Sequence, residues 1–293
     1  MRILIAGKNG QLGKSIHKLV ANTKQTDEFF FVGREELDLG NPDNISNYFD
    51  NNKFDIIINC AAYTAVDKAE EEQDLANQVN HLAVKQLAEI INKQKSKLMH
   101  ISTDYVFDGE SDKPYIETDE TNPINVYGKT KLAGEKALQK AMPTNAVIIR
   151  TSWLYSEFGN NFVKTMLRLS QERDELNIVS DQVGSPTYAT DLARALLEII
   201  SKKNYQSKEQ STEIYHYSNK GEISWYKFAK KTFELVNIKC SVNPITTNRY
   251  PTPAQRPKNT LMNKDKISHR FDMDTLDWRR SLKSCIKILK EKQ

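Results

Sequence analysis

The sequence is short of cysteine, of one-signed charge and of long apolar runs, and each shortage closes off a class of protein. Its three cysteines, Cys60, Cys240 and Cys285, stand far apart along 293 residues. That number and spacing fit neither a disulfide framework nor a metal knuckle, so a reducing, cytoplasmic setting is expected. Lysine and arginine number 42 against 38 acidic residues, a formal net charge of +4. So even a balance gives no electrostatic footprint for nucleic acid, though it allows a local basic pocket. The longest apolar runs, such as "DIIIN" and "AVIIR", are strand-length, far below the roughly 20 residues that cross a bilayer. The opening "MRILIAG" carries one cation and a handful of apolar residues before a glycine. It is too short for a secretory signal and reads as the first strand. There is no internal repeat and no long linker.

What is present is alternation. Strand-like runs occupy Ile3–Ala6, Phe29–Val32, Ile56–Asn59, Leu98–Ser102 and Val147–Arg150. Helical periodicity fills Gln11–Ala21 and Leu75–Ile91 between them. The pattern predicts the α/β class: a Rossmann-like doubly wound parallel sheet, its strands apolar because both faces are buried. The second half is less regular, with helices expected over Asn161–Arg173, Thr190–Ile200 and Trp225–Val236, and a lysine-rich surface loop at Ser201–Ser211. "YPTPAQRP" (Tyr250–Pro257) fits neither a central strand nor a helix interior. A smaller C-terminal substrate-binding domain is therefore expected beside the sheet. The boundaries are residues 1–152 for an NAD(P)-binding domain, with a return to it around 188–218, and 153–187 with 219–293 for the substrate-binding part.

"GKNGQLG" places Gly7, Gly10 and Gly13 directly after the first strand and at the start of the first helix. Glycines there let the backbone turn sharply and approach a pyrophosphate, which the helix N-terminus attracts. The spacing is G-x-x-G-x-x-G, a variant of the better-known fingerprint; the alternative is a tight structural turn. After the second strand comes "VGREELDLG". An acidic residue at this point holds a ribose 2′-OH and an arginine accommodates a 2′-phosphate. Arg34 tilts the reading to NADPH, while Glu35 and Glu36 blur it towards NADH. Asp38 and Leu39 either frame the adenine or, in the case of Asp38, cap the next helix.

The fourth strand runs into "STDYVFDG", which puts Ser102, Thr103 and Asp104 at a carboxyl end, where open α/β sheets place their ligands. A helix over Val126–Lys140 sets Tyr127 and Lys131 one turn apart on one face. A free phenol titrates at about 10 and a nearby ammonium lowers that value. The pair therefore reads as a proton donor and its tuning cation, in the right chain order behind a dinucleotide turn. The competing reading is an aromatic and a lysine on a solvated helix, which is where Lys129 belongs.

Gly7–Gly13, Thr103 and Tyr127-x-x-x-Lys131 resemble the extended short-chain dehydrogenase/reductases. The blocks "NCAAYTAVDKAE", "STDYVFDG", "NVYGKTKLAGE", "RTSWLY", "GNNFVKTMLRL", "DQVGSPT" and "PTPAQRPKN" resemble, more narrowly, the dTDP-4-dehydrorhamnose reductase family, over residues 1 to about 280. The resemblance implies reduction of the C4 ketone of dTDP-4-dehydro-L-rhamnose to dTDP-L-rhamnose with NADPH or NADH, the last step of dTDP-rhamnose synthesis for surface polysaccharide. It implies Thr103, Tyr127 and Lys131 as the catalytic set. It implies dinucleotide contacts from Gly7, Asn9, Gly10, Gln11, Leu12, Arg34, Asp38, Leu39, Cys60, Ala61, Ala62, Tyr63 and Thr64, with Tyr127 and Lys131. Substrate contacts would come from Thr103, Asp104, Tyr127, Trp153 and Arg256. Some members dimerise around magnesium held by acidic residues on the first helix and near the "SPT" block. Here those stretches read Gly13-Lys14-Ser15 and Pro186-Thr187-Tyr188-Ala189-Thr190, with no matching carboxylate. No metal, and a monomer or weak homodimer, are the expectation. A nucleotide-sugar epimerase or dehydratase, or a regulatory relative without activity, are the rival readings. Net oxidation of added NADPH separates the first rival, and the intact Thr103, Tyr127 and Lys131 count against the second.

Overall fold

The computed structural model describes residues 1–22, 26–202, 205 and 210–291. Six parallel strands form its main sheet. In space they run β2 (Glu28–Val32), β1 (Arg2–Ala6), β3 (Ile56–Asn59), β4 (Lys97–Thr103), β5 (Ala146–Thr151) and β10 (Glu213–Tyr217). The chain reverses direction across the sheet between β1 and β3, so a crevice opens at their carboxyl ends. The register brings those ends level: Ala6 pairs Val32 and Asn59, Asn59 pairs His100, and Thr103 pairs Thr151.

Both faces are covered because alternate strand residues point to opposite sides. Ile3, Ile5, Ile56, Ile58 and Ile149 pack against α1 (Gln11–Ala21) and α7 (Ala189–Ser201) through Leu12, Ile16, Leu192, Leu196 and Ile199. Leu4, Ile57, Leu98 and Ile148 pack on the other side, against α2 (Pro42–Asp50), α4 (Ala83–Lys93) and α5 (Val126–Ala141). The helical run expected over Leu75–Ile91 is not uniform. It comprises α3 (Gln73–Asn77), a π turn over Gln78–Leu82, and α4. The π turn carries Asn80 into the interior, where it is 1% exposed.

A second apolar cluster gathers Tyr155, Val163, Tyr188, Phe228, Trp278 and Leu282. It draws on α6 (Phe162–Glu172), α8 (Trp225–Val236) and α10 (Trp278–Glu291). Short strand pairs flank it: β6 (Leu154–Tyr155) with β9 (Thr187–Tyr188), β7 (Glu175–Val179) with β12 (Ser241–Ile245), and β8 (Val183–Gly184) with β11 (Ile223–Ser224). α9 (Asp265–Phe271) instead sends Ile267 and Phe271 back to the main sheet's cluster. The loop expected at Ser201–Ser211 lies largely outside the described residues; within it, the Tyr205 ring is buried and covers the Lys97 ammonium. Among the described residues no helix is long and apolar enough to cross a membrane.

Candidate active site

The glycine turn is built as the spacing requires. Gly7 has φ of +90°, a conformation costly for any side chain, and its N–H and that of Lys8 both donate to Val32 O at 2.9 Å. A Cβ on Gly13 would sit 2.9 Å from the Gly7 carbonyl carbon and still closer to its oxygen. Gly10 begins α1 with no side-chain cap and no acidic residue in the first turn. The first N–H groups of the helix therefore have no side-chain cap in place of an anion, and no carboxylate of the first turn opposes one. The turn fits a dinucleotide pyrophosphate. Asn9 is exposed at its tip and Leu12 is buried in the core. The Gln11 side chain is already engaged: it donates to Leu154 O and accepts from Ser156 and Asn161. Any contact of Gln11 with a cofactor falls to its backbone.

At the end of β2, Arg34 is exposed and its Nε donates to Asp38 Oδ2 at 3.3 Å. Asp38 also accepts from Gly40 N at 2.8 Å. It shapes a turn and does not cap α2, whose first amides are received by the Asn41 side chain. Leu39 is 4% exposed and belongs to the core cluster, so it offers a ligand little surface. Glu36 accepts from both Lys8 Nζ and Gly33 N, and these donors, the lysine first, hold its carboxyl below the usual range.

After β3, burial pushes the Cys60 thiol up to about 12, which makes it inert. Ala61 donates its N–H to Asn59 Oδ1. Asn80, from the π turn, receives Tyr63 N at 2.9 Å and donates to Tyr63 O at 3.1 Å. One buried amide thus pins the Ala62–Thr64 loop by both backbone groups. The Tyr63 hydroxyl donates to Glu72 at 2.6 Å.

The chemistry gathers where β4 meets α5. Asn125 caps α5 through Gly128 N at 2.8 Å. Tyr127, Lys131 and Glu135 then form one stripe, with Lys131 and Glu135 each 1% exposed. Arg150 on β5 donates to Glu135 three times, at 2.7 to 3.2 Å, and Ser102 Oγ donates to it as well. That buried cluster fixes the helix against the strand ends. Two glycines set how closely α5 lies: a Cβ at Gly128 would strike the Tyr105 carbonyl and one at Gly134 the Asn80 carbonyl. The Tyr105 and Tyr127 rings meet edge to face at 5.7 Å. Thr103 Oγ1 donates to Asp104 Oδ1 at 3.0 Å and accepts from Tyr105 N, so the hydroxyl also caps the short turn Asp104–Val106.

The electrostatics correct one expectation. Tyr127 is pushed up to about 12 by burial, with the Thr103 hydroxyl pulling down and Asp104 pushing up. The lowering expected from Lys131 is absent, because Lys131 turns inward: its Nζ donates to Ile101 O at 2.6 Å and lies 3.3 Å from His100 Nε2. Burial brings Lys131 down to about 8, against the pull of Glu135. Burial likewise raises Asp104 to about 7, opposed by the Thr260 and Thr103 hydroxyls.

On the far side of the crevice, Trp153 adopts φ of +47°, a strained backbone for so bulky a residue. Its ring stacks on Trp225 at 3.5 Å and 8° and lies on Gly184. Arg256 does not project freely. It grips Asp67 through two 2.7 Å hydrogen bonds and donates to Ala254 O. This fork ties the proline-rich segment to the loop after β3. Among the described residues no group of three or more His, Cys, Asp and Glu side chains is placed to hold a metal.

Sequence reasoning did not find Asn59, Asn80, His100, Glu135, Asp67 or Trp225. Their roles depend on partners distant in the chain; only Glu135 carried a signal, the i, i+4, i+8 stripe behind Tyr127.

A family model described as "RmlD substrate binding domain" matches residues 1–291. A protein of Aggregatibacter actinomycetemcomitans named dTDP-4-dehydrorhamnose reductase is 43% identical over 290 residues, covering 97% of each chain. Two solved structures are similar throughout. A dTDP-4-dehydrorhamnose reductase from Clostridium acetobutylicum has a TM-score of 0.92 at 43% identity, covering 99% of this chain and all of the other (100%). One from Bacillus anthracis, in complex with NADP, has a TM-score of 0.90 at 36% identity, covering 98% and 99%.

Proposed function

The chain belongs to the dTDP-4-dehydrorhamnose reductase family, and from that premise we propose that Thr103, Tyr127 and Lys131 carry its reaction. The protein is an NAD(P)H-dependent oxidoreductase. It reduces the C4 ketone of dTDP-4-dehydro-L-rhamnose to dTDP-L-rhamnose, the last step of dTDP-L-rhamnose synthesis. The assignment of residues rests on one observation: the helix carrying Tyr127, Lys131 and Glu135 is fastened through Glu135 to Ser102, the neighbour of Thr103, at the carboxyl ends of the strands where the glycine turn also lies.

The Gly7–Gly13 turn and the α1 N-terminus would hold the dinucleotide's pyrophosphate, and the Ala62–Thr64 loop would lie along it. The bound nicotinamide supplies hydride to the substrate's C4. Thr103 and Tyr127 would both meet the C4 oxygen. Burial keeps the Tyr127 phenol protonated at neutral pH, so it is a loaded donor for the oxygen as charge develops there. Lys131, brought round as an ammonium, would ease that transfer by favouring the phenolate. Asp104 would orient Thr103, whose hydroxyl it already receives. The half-buried Trp153–Trp225 stack would pack on the sugar nucleotide, and Arg256 would meet its pyrophosphate on exchanging Asp67 for it. Residues 1–152 with 188–218 would form the dinucleotide-binding domain and 153–187 with 219–293 the substrate-binding one. The enzyme would act in the cytoplasm as a monomer or weak homodimer without metal. Tyr127→Phe tests the assignment: turnover should fall about 10²-fold or more while NADPH still binds. Turnover near that of the unaltered enzyme would reject it.

A further inference from the structure

Beneath the proposed catalytic lysine runs a buried polar chain that the reaction as described does not use. Asn59 ends β3, His100 is its register partner on β4, and Lys131 reaches them from α5. All three are at most 1% exposed. Asn59 Nδ2 lies 3.2 Å from His100 Nδ1, and His100 Nε2 lies 3.3 Å from Lys131 Nζ.

The direction of this chain is fixed from one end. Ala61 N can only donate, and it donates to Asn59 Oδ1 at 3.1 Å. The amide nitrogen of Asn59 therefore faces the ring, and His100 Nδ1 must accept. A neutral imidazole has one donor and one acceptor nitrogen, so Nε2 carries the proton and points it at Lys131. An ammonium has no lone pair to receive it. An amine has one, and still keeps a hydrogen for Ile101 O, 2.6 Å away. We propose that His100, oriented by Asn59, is a positioning residue that holds Lys131 as a neutral amine turned towards Ile101 and away from Tyr127.

Burial has already brought Lys131 down to about 8, where the ammonium would still lead at pH 7, and the Nε2–H donor lowers it further and tips the balance to the amine. His100 lies well below its ordinary range, through burial first and the neighbouring lysine second, so it does not compete for the proton. Of the charged and titratable groups near the chain, Glu135 favours the ammonium but is already bound by Arg150 and Ser102. Tyr127 is held protonated and Asp104 faces Thr103. To act as a cation on the phenol or on a ribose, Lys131 must then take one proton from solvent and leave the His100 contact. Cofactor binding and proton uptake become linked through His100.

The inference rests on the assignment of Lys131 to the dinucleotide site, but its test needs no turnover, so the two can fail separately. Lysines are labelled with carbon-13 at Cε, the Lys131 signal is assigned with Lys131→Arg, and its titration is followed in the unaltered enzyme and in His100→Leu. Loss of the Nε2–H donor should raise the Lys131 midpoint by about one unit, the worth of one buried hydrogen bond. An unchanged or lowered midpoint would overturn the proposal, the latter because it means that the lysine donates to His100. Should His100→Leu not fold, long-range proton–nitrogen spectra of the unaltered enzyme read the tautomer directly. A proton on Nε2 is expected, and one on Nδ1 would overturn the proposal equally.

Discussion

Gly128→Ala probes how α5 delivers Tyr127. A Cβ added there would lie 3.0 Å from both Pro123 Cβ and the Tyr105 carbonyl carbon, and closer still to that carbonyl's oxygen. Ordinary contacts between such atoms are about 3.5–4.0 Å, so the helix start must retreat by about 1 Å. Alanine is the better helix former by about 1 kcal/mol, while overpacking costs about 1–3 kcal/mol. The net loss of stability should be small, at most about 2 kcal/mol by those figures. The loss of rate should be large, because a displacement of about 1 Å at a reacting group costs on the order of 10²-fold. Stopped-time NADPH oxidation with the dTDP-4-keto sugar reads the rate, urea unfolding reads the stability, and NADPH titration should show binding nearly intact. Gly10→Ala is the control for the fold. Its Cβ would meet nothing nearer than Gly7 O at 3.4 Å, and stability should fall by no more than about 1 kcal/mol, the cost of alanine at a helix N-cap. Turnover near that of the unaltered enzyme in Gly128→Ala would refute the claim that this close approach sets the tyrosine.

Further outcomes are expected. Asp104 is raised from 3.8 to about 7, so the folded state prefers its neutral form. Stability from this group is full below about pH 4 and is lost as pH rises through about 7. In Asp104→Asn, unfolding free energies at pH 4.5 and 7.5 should differ less than in the unaltered enzyme. Arg256→Gln should raise KM for the nucleotide sugar about tenfold with kcat largely kept, the mark of a binding contact; a loss confined to kcat would reject that role. Activity should survive exhaustive treatment with a chelator, and its complete loss would reject the metal-free reading.

Five of the six strands were legible because they are rich in apolar residues, and the bounds follow "RILIA", "IIIN" and "AVIIR" to within a residue or two; β10, "EIYHY", was not, because its polar residues break the apolar run. The π turn at Gln78–Leu82 was not, since local periodicity reads straight through it and only the tertiary partners of Asn80 explain it. The stripe of Tyr127 and Lys131 could be read from spacing alone. The state of its groups could not, because that depends on burial and on His100, 31 residues from Lys131. Arg34, Asp38 and Arg256 were visible as charges; their engagement with one another or with Asp67 was not.

The central claim is tested most directly by following NADPH and nucleotide sugar together, with enzymatically generated dTDP-4-dehydro-L-rhamnose as substrate. The account predicts one NADPH oxidised for each dTDP-L-rhamnose formed, and collapse of both signals in Tyr127→Phe. Conversion of the sugar nucleotide without net NADPH oxidation would contradict it.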